Sequence, residues 1–149
     1  MEKSTRELEH ELQKADSLQD FTRKNAPELV VPDAREYLLK LVAERGISKP
    51  ELVRESLLER TYGAHLLATG SKRHLTREKL LLFALAGKLT LDETQQLLKY
   101  GREGALYVRD KRDQALIYAF KEQMDVAGTQ ELLTQLGLKQ LSTSPDTRD

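Results

Sequence analysis

A small group of basic and hydroxyl-bearing side chains is the part of this sequence best suited to chemistry. Arg60, Thr61 and His65 lie close together in one short segment. An arginine can donate two hydrogen bonds at once to O6 and N7 of guanine, and such a pair is worth about 1–3 kcal/mol of discrimination. Thr61 and His65 could contact further base edges. The segment therefore predicts a surface that contacts nucleobases, with a local ion pair between Arg60 and Glu59 as the alternative.

A second group of side chains is suited to phosphate. Ser48 and Lys49 precede the first segment, and Lys72 and Arg73 follow it. Such cations neutralise phosphates, and hydroxyls or helix N-termini add hydrogen bonds that position a duplex without specifying its sequence. The alternative is that this run of charge is a solvated face with no ligand.

Other kinds of chemistry have little support in the sequence. The chain has no cysteine and three histidines, which excludes disulfides and thiolate chemistry and leaves few ligands for a metal. A glycine-rich phosphate loop, a nucleophile elbow and a histidine pair at metal spacing are all missing. We therefore predict a protein that is not an enzyme and has no metal and no cofactor.

The distribution of charge favours nucleic acid more than the total does. The chain has 149 residues, with 24 Lys and Arg against 24 Asp and Glu. Residues 1–34 hold 5 basic and 8 acidic side chains, residues 35–79 hold 10 and 6, and residues 80–149 hold 9 and 10. Binding to a polyanion needs a local basic patch, and within residues 60–79 the expected patch also includes Arg77 and Lys79.

The elements that must position these side chains are helices. Glycine and proline lie at the edges of segments with helical periodicity, and alternation typical of strands is nearly absent. The pattern predicts an all-α fold, with helix starts at the capping residues Asp33, Ser48, Thr90, Asp110 and Asp125. In the helix that follows Glu59, Tyr62 and Leu66 would be buried with Leu52, Val53 and Leu58, leaving Arg60, Thr61, Ala64, His65 and Ala68 exposed.

Several stretches carry a resemblance to a known family. They are residues 37–40 (YLLK), 46–48 (GIS), 59–63 (ERTYG), 77–81 (REKLL), 89–94 (LTLDET), 97–100 (LLKY), 106–107 (LY) and 111–113 (KRD), within a span of roughly 33–137. Together they resemble the Cro/repressor-type helix-turn-helix family, also called lambda-repressor-like or XRE-type. More narrowly, the chain is similar to small bacterial transcriptional regulators with a C-terminal helical extension. The resemblance implies sequence-specific binding of double-stranded DNA, with the helix at about 59–69 in the major groove.

Two residues depart from the pattern of that family. Leu57 occupies the turn position where glycine is usual because the backbone there is left-handed. Gly63 stands within the recognition helix where a packed aliphatic residue is typical. These departures are compatible with a helix shaped for the close approach of another backbone, or with a fold that has lost DNA binding.

The second half of the chain contains a weak internal repeat. Residues 82–98 align without gaps on residues 117–133, and five positions are identical, including Thr94 with Thr129 and Gln95 with Gln130. Either one helical pair has been duplicated, or two amphipathic pairs are alike in composition only.

These patterns divide the chain into four parts. They are an N-terminal helical arm over residues 1–32, a helix-turn-helix domain over 33–103, a C-terminal helical extension over 104–138 and a disordered tail over 139–149. The extension is a candidate for forming a homodimer or binding a regulatory protein partner. Apolar runs such as residues 80–86 are too short to span a bilayer, so we expect no membrane partner and a cytoplasmic location. The alternative function is a protein–protein interaction module of the same fold that has lost DNA binding.

Overall fold

The computed structural model describes residues 3–28 and 32–146, and these ranges contain helices and turns without any strand. The expected all-α class is therefore confirmed. The helices are α1 (Thr5–Lys14), α2 (Leu18–Asn25), α3 (Ala34–Glu44), α4 (Lys49–Ser56), α5 (Arg60–Leu67), α6 (Arg77–Ala86), α7 (Leu91–Tyr100), α8 (Lys111–Lys121) and α9 (Val126–Gln135). Within the described ranges, no helix has the length and apolar character needed to cross a membrane.

The chain forms two compact units, Met1–Pro32 and Asp33–Asp149. In the first unit, Ser4 and Ser17 cap α1 and α2 by accepting from the N–H groups of Glu7 and Asp20. The side chain of Asn25 is buried and donates to Glu11 Oε2 at 3.0 Å. Lys3 Nζ donates to Asn25 Oδ1 at 2.6 Å. A polar cluster therefore joins the two helices, which have few apolar side chains of their own.

In the second unit, α6 is the central helix. Each residue from Lys79 to Ala86 is at most 4% exposed, and α6 packs against α4, α7 and α9. A helix that is apolar all round has to be enclosed by other helices. Asp33, Ser48, Thr90, Asp110 and Asp125 accept from N–H groups in the first turns of the helices they precede, as expected.

The helical pairs α6–α7 and α8–α9 repeat one another 35 positions apart. Their connecting turns have matching left-handed residues, Lys88 with φ 59° and Gln123 with φ 55°. In each second helix a threonine hydroxyl donates back to the capping residue at 2.8 Å, Thr94 to Thr90 and Thr129 to Asp125. The shared backbone geometry favours a duplicated pair over similarity of composition alone.

Two equivalent glutamines of the repeat make matching contacts with residues beyond the aligned sequence. The Gln95 side chain accepts from Leu106 N at 2.7 Å and donates to Leu106 O at 3.0 Å. The Gln130 side chain makes the same two bonds with the backbone of Leu141, both at 2.8 Å. Each glutamine therefore holds the extended segment that follows its own helical pair.

Two arginines, one from each repeat, form ion pairs with carboxylates of the other repeat. Arg77 of the first repeat donates to both carboxylate oxygens of Asp113 in the second, at 3.2 and 2.9 Å. Arg112 of the second repeat donates to both oxygens of Glu78 in the first, at 3.0 and 2.6 Å. Each arginine also donates to two carbonyls of an extended segment, and those carbonyls belong to residues 104 and 105 or 139 and 140.

The tail differs from the sequence-based expectation of disorder over 139–149. Leu141 is 2% exposed, and the Asp146 carboxylate accepts from Thr76 Oγ1 at 3.1 Å. The Lys79 ammonium is fully buried and donates to Ser142 O at 2.9 Å. The tail is ordered because it supplies acceptors for buried donors of the core, although residues 147–149 lie outside the described part. Residues 104–146 also belong to the same compact unit as 33–103, so the expected boundary near residue 103 does not separate two units.

The Arg112–Glu78 pair gives a prediction for the dependence of stability on pH. Burial raises the pKa of Glu78, but the hydrogen bonds and charge of Arg112 and the Ser142 N–H outweigh it and hold the pKa below its ordinary value near 4.5. A carboxyl whose pKa is lower in the folded state stabilises the fold when the pH is above its unfolded-state pKa. This stabilisation is lost as the pH falls through its folded-state pKa. In urea denaturation we expect Glu78→Gln to cost about 1–2 kcal/mol at pH 7. The cost should disappear at acid pH.

The matched control for that experiment is Arg109→Met, which removes an exposed arginine just before α8, the helix that carries Arg112. Its effect on stability should be small at every pH. A gap between the wild type and Glu78→Gln that stays constant from neutral to acid pH would contradict the assignment.

Candidate nucleic-acid interface

The turn between α4 and α5 consists of three residues, 57–59. Leu57 ends α4 with φ 64° and ψ 14°, a left-handed conformation. Ser56 Oγ donates to Val53 O at 2.6 Å and accepts from Leu58 N at 3.2 Å. The turn therefore has the backbone that glycine would favour, with leucine in its place.

Gly63 of α5 lies directly against α4. A Cβ atom added at residue 63 would lie 2.6 Å from Val53 Cγ1. The absence of a side chain at residue 63 thus makes room for the side chain of Val53. Val53 occupies the space that a packed side chain at position 63 would otherwise fill.

The opposite face of α5 is open to solvent. Leu52, Val53, Leu58, Tyr62 and Leu66 are buried as expected. Arg60, Thr61, Ala64, His65 and Ala68 are exposed. At 3.6 residues per turn, these five positions cover an arc of roughly 140°. The structure therefore brings Arg60, Thr61 and His65 to one face of a single helix.

The side chains expected to contact phosphate before α5 have different surroundings. Ser48 caps α4, and its Oγ accepts from Glu51 N at 3.2 Å. Lys49 is the first residue of α4, and its Nζ lies 3.3 Å from Thr69 Oγ1. Both residues are exposed. Lys49 is available to an anion, whereas the Ser48 hydroxyl already donates to Glu51 Oε1 at 3.4 Å.

Lys72 and Arg73 lie in the segment after α5 and are exposed. The guanidinium carbon of Arg73 lies 5.9 Å from the centroid of the Tyr62 ring. The buried side chain of Arg35 holds this segment in place. It donates to Leu66 O at 2.6 Å, to Ser71 O at 3.1 Å and to Arg73 O. One arginine on α3 thus fixes both the end of α5 and the segment that carries the cations.

The basic patch is smaller than the sequence suggested. Arg77 is engaged with Asp113. Lys79 is fully buried, with Ser142 O and Asp146 Oδ1 as its acceptors. His74 Nε2 lies 2.8 Å from Glu103 Oε2. Arg77 and Lys79 therefore cannot contribute to a phosphate-binding surface, because they are already paired with acceptors that lie far along the chain.

The remaining cations line two different depressions. Lys49 and Arg60 line a groove between α4 and α5 together with Arg54. Lys72 and Arg73 line a shallow depression with residues from the start of α3 and the end of α7. Arg54 was missed by the sequence analysis, although its exposed position in α4 and its positive charge were visible signals.

The N-terminus of α5 carries its own carboxylate. Glu59 Oε2 accepts from Tyr62 N at 2.7 Å, and Oε1 accepts from Thr61 N at 3.0 Å. These N–H groups hold the pKa of Glu59 below its ordinary value. These two N–H groups are consequently not free to bind a phosphate. Arg60 makes no ion pair with Glu59 or any other carboxylate of the described residues.

Comparison with protein-family models, with curated proteins and with solved structures finds no match for this chain. The description of the surface therefore stands on its geometry. Among the residues that the structure describes, His, Asp and Glu side chains form no group able to hold a metal ion. Arg35 was also missed by the sequence analysis. Like Arg77 and Arg112, it lies in the first turn of its helix and donates to loop carbonyls, a contact that only the structure shows.

The left-handed turn gives a prediction for Leu57→Gly. A non-glycine residue in this conformation costs about 1–2 kcal/mol, while glycine adds about 0.5–1 kcal/mol of backbone entropy on folding. Leu57 is 53% exposed, so its removal uncovers little of the core. We expect a net stabilisation of about 0.5–1 kcal/mol in urea denaturation.

The control for this substitution is Leu136→Gly. Leu136 is equally exposed and also ends a helix, but its φ is −85°. There glycine should destabilise, because it relieves no strain and its entropy cost remains. Equal destabilisation by both substitutions would show that Leu57 is not strained.

Proposed function

We propose that this protein is a non-catalytic, sequence-specific regulator of transcription that binds double-stranded DNA. The observation that carries the proposal is the α4–α5 pair, in which one face of α5 packs on α4 while the other presents Arg60, Thr61 and His65 to solvent. This is the arrangement in which a second helix enters the major groove of DNA. The lambda-repressor-like, XRE-type assignment rests on this pair and on the sequence resemblance.

In this proposal Arg60 is the principal base-contacting residue. It is exposed and lies at the start of α5, where the first turn of a recognition helix meets base edges. Its guanidinium would donate to O6 and N7 of a guanine. Thr61 and His65 would contact adjacent bases from the same face of the helix.

Contacts with the phosphate backbone would come from Lys49 and from the segment after α5. Lys72 and Arg73 are held by the bonds of Arg35 to that segment. Ser48 would have to give up the 3.4 Å hydrogen bond that its hydroxyl donates to Glu51 Oε1, because its oxygen caps α4. If the protein forms a two-fold dimer, two half-sites about one helical turn apart follow.

The test begins with selection of bound duplexes from a random pool by the purified full chain. We expect an enriched sequence, for which Arg60→Ala loses discrimination about 5- to 150-fold, corresponding to about 1–3 kcal/mol. Lys72→Ala with Arg73→Ala should instead weaken binding to all sequences alike and reduce the salt dependence by about two counterions.

Lys121→Ala removes an exposed lysine of α8 and is the matched control, with no expected effect on either property. The proposal fails if no sequence is enriched, or if Arg60→Ala binds the enriched and random duplexes as the wild type does.

A further inference from the structure

An apolar groove lies between α4 and α5 and is not explained by contacts with DNA alone. Its volume is about 650 Å³, which is within the usual range of ligand pockets. Its floor includes Val53, Leu58 and Leu67, which belong to the core. Ala64 lies on its wall, and a longer side chain there would fill the space. The small residue on the exposed face of α5 therefore keeps the groove open.

The charged residues that line the groove are all cations. They are Lys49, Arg54 and Arg60, and no carboxylate of the described residues lines it. Lys49 Nζ lies 3.3 Å from the hydroxyl of Thr69. Arg54 Nε lies 3.9 Å from Glu55 Oε1 in an exposed pair. These weakly paired cations surround the apolar residues of the groove. A phosphodiester backbone could pair with the cations, but it would leave the apolar residues uncovered.

We propose that this groove binds an acidic amphipathic helix of a partner protein. Apolar side chains one turn apart on such a helix would fill the floor, and carboxylates beside them would pair with the three cations. An amphipathic helix in an apolar groove is a recurrent mode of recognition. Complementary charge suppresses wrong partners, so the rim selects acidic helices over basic ones.

The groove shares Arg60 with the face of α5 that would contact bases. A bound acidic helix would engage this arginine and cover the adjacent surface, so the partner would compete with DNA. Only this competition rests on the proposed function. Binding of the acidic helix itself can be measured whether or not the protein binds DNA.

The test is a titration of the full chain into a fluorescein-labelled acidic peptide, followed by anisotropy. The peptide has about 15 residues, with leucine or phenylalanine at i, i+4 and i+7 and glutamate at most other positions. A scrambled peptide of the same composition and a version with lysine for glutamate are the reference probes. We expect the acidic amphipathic peptide to bind about ten-fold or more tightly than either reference.

Two variants locate the site. Ala64→Glu should abolish peptide binding, because it fills the groove and places a negative charge among its cations. Ala127→Glu, at an exposed alanine of α9, is the matched control and should leave binding unchanged. Arg54→Glu should weaken the acidic peptide about ten-fold and should strengthen the lysine version.

Several outcomes would overturn the proposal. The scrambled peptide could bind equally well, or Ala64→Glu could bind as the wild type does. If no peptide bound and Ala64→Glu removed only DNA binding, the groove would belong to the DNA interface. Self-association of the wild type that is lost in Ala64→Glu would assign the groove to a second copy of the chain. Weaker peptide binding with unchanged DNA binding in Arg54→Glu would instead support the proposal and would separate the two ligands.

Discussion

Asp113→Asn is expected to lower the free energy of unfolding by about 3 kcal/mol, because it breaks a nearly buried ion pair by changing one partner. The Asp113 side chain is 7% exposed and faces Arg77, which is 25% exposed. Its carboxylate also accepts from Tyr107 N at 2.9 Å. The amide has nearly the shape of the carboxylate but offers the guanidinium one acceptor atom at residue 113 instead of two. Urea denaturation at pH 7 measures the loss.

The internal repeat contains a second, equivalent ion pair, and comparing the stability costs of breaking the two pairs tests this explanation. Glu78 occupies the equivalent place in the first repeat, but its side chain is 24% exposed. Because water compensates the more exposed pair, Asp113→Asn should cost more than Glu78→Gln. Glu131→Gln, at an exposed position of α9, should change stability by less than about 0.5 kcal/mol. If Asp113→Asn were as mild as Glu131→Gln, the reciprocal pairs would not stabilise the packing of the repeats.

Gly63→Val is expected to destabilise the protein by about 3 kcal/mol through overpacking against α4. A Cβ atom alone would lie 2.6 Å from Val53 Cγ1 and 3.3 Å from Cγ2. Valine has a stiff side chain that cannot turn away, so the two helices must separate. The gain in helix propensity from replacing glycine by valine, less than about 1 kcal/mol, is smaller than this cost. Stability is measured by urea denaturation, and the orientation of α5 by DNA binding.

The double substitution Val53→Ala with Gly63→Val tests the same contact by exchanging the sizes of its two residues. It should recover about 1–2 kcal/mol relative to Gly63→Val, since neighbouring residues are not additive. Ala64→Val introduces valine at the adjacent exposed position and should cost only the small difference in helix propensity. The same loss with and without Val53→Ala would show that the two side chains do not compete for space.

The helix boundaries were predictable because their causes are local. A capping side chain acts on N–H groups two or three residues away, as Ser48 does for Glu51 and Thr90 does for Glu93. The exposed face of α5 was predictable for a similar reason, since helical periodicity separates Arg60 and His65 from the buried Leu66.

The size of the basic patch was not predictable from local patterns. Arg77 and Lys79 look like members of the patch in sequence, but their partners lie between 27 and 67 residues away. The tail likewise looks disordered from its composition, yet Leu141 and Asp146 meet groups of α6, α9 and the segment before α6. Such pairings depend on how the helices pack.

The chain itself specifies the helices, their ends and the polar face of α5, because these follow from interactions within a few residues. Packing of the second unit decides which cations remain free, where the tail lies, and that Val53 and Gly63 fit together beside an open groove. The reason is the range of the forces involved. Capping and periodicity act over one turn, whereas burial and ion pairing join residues that only the fold brings together.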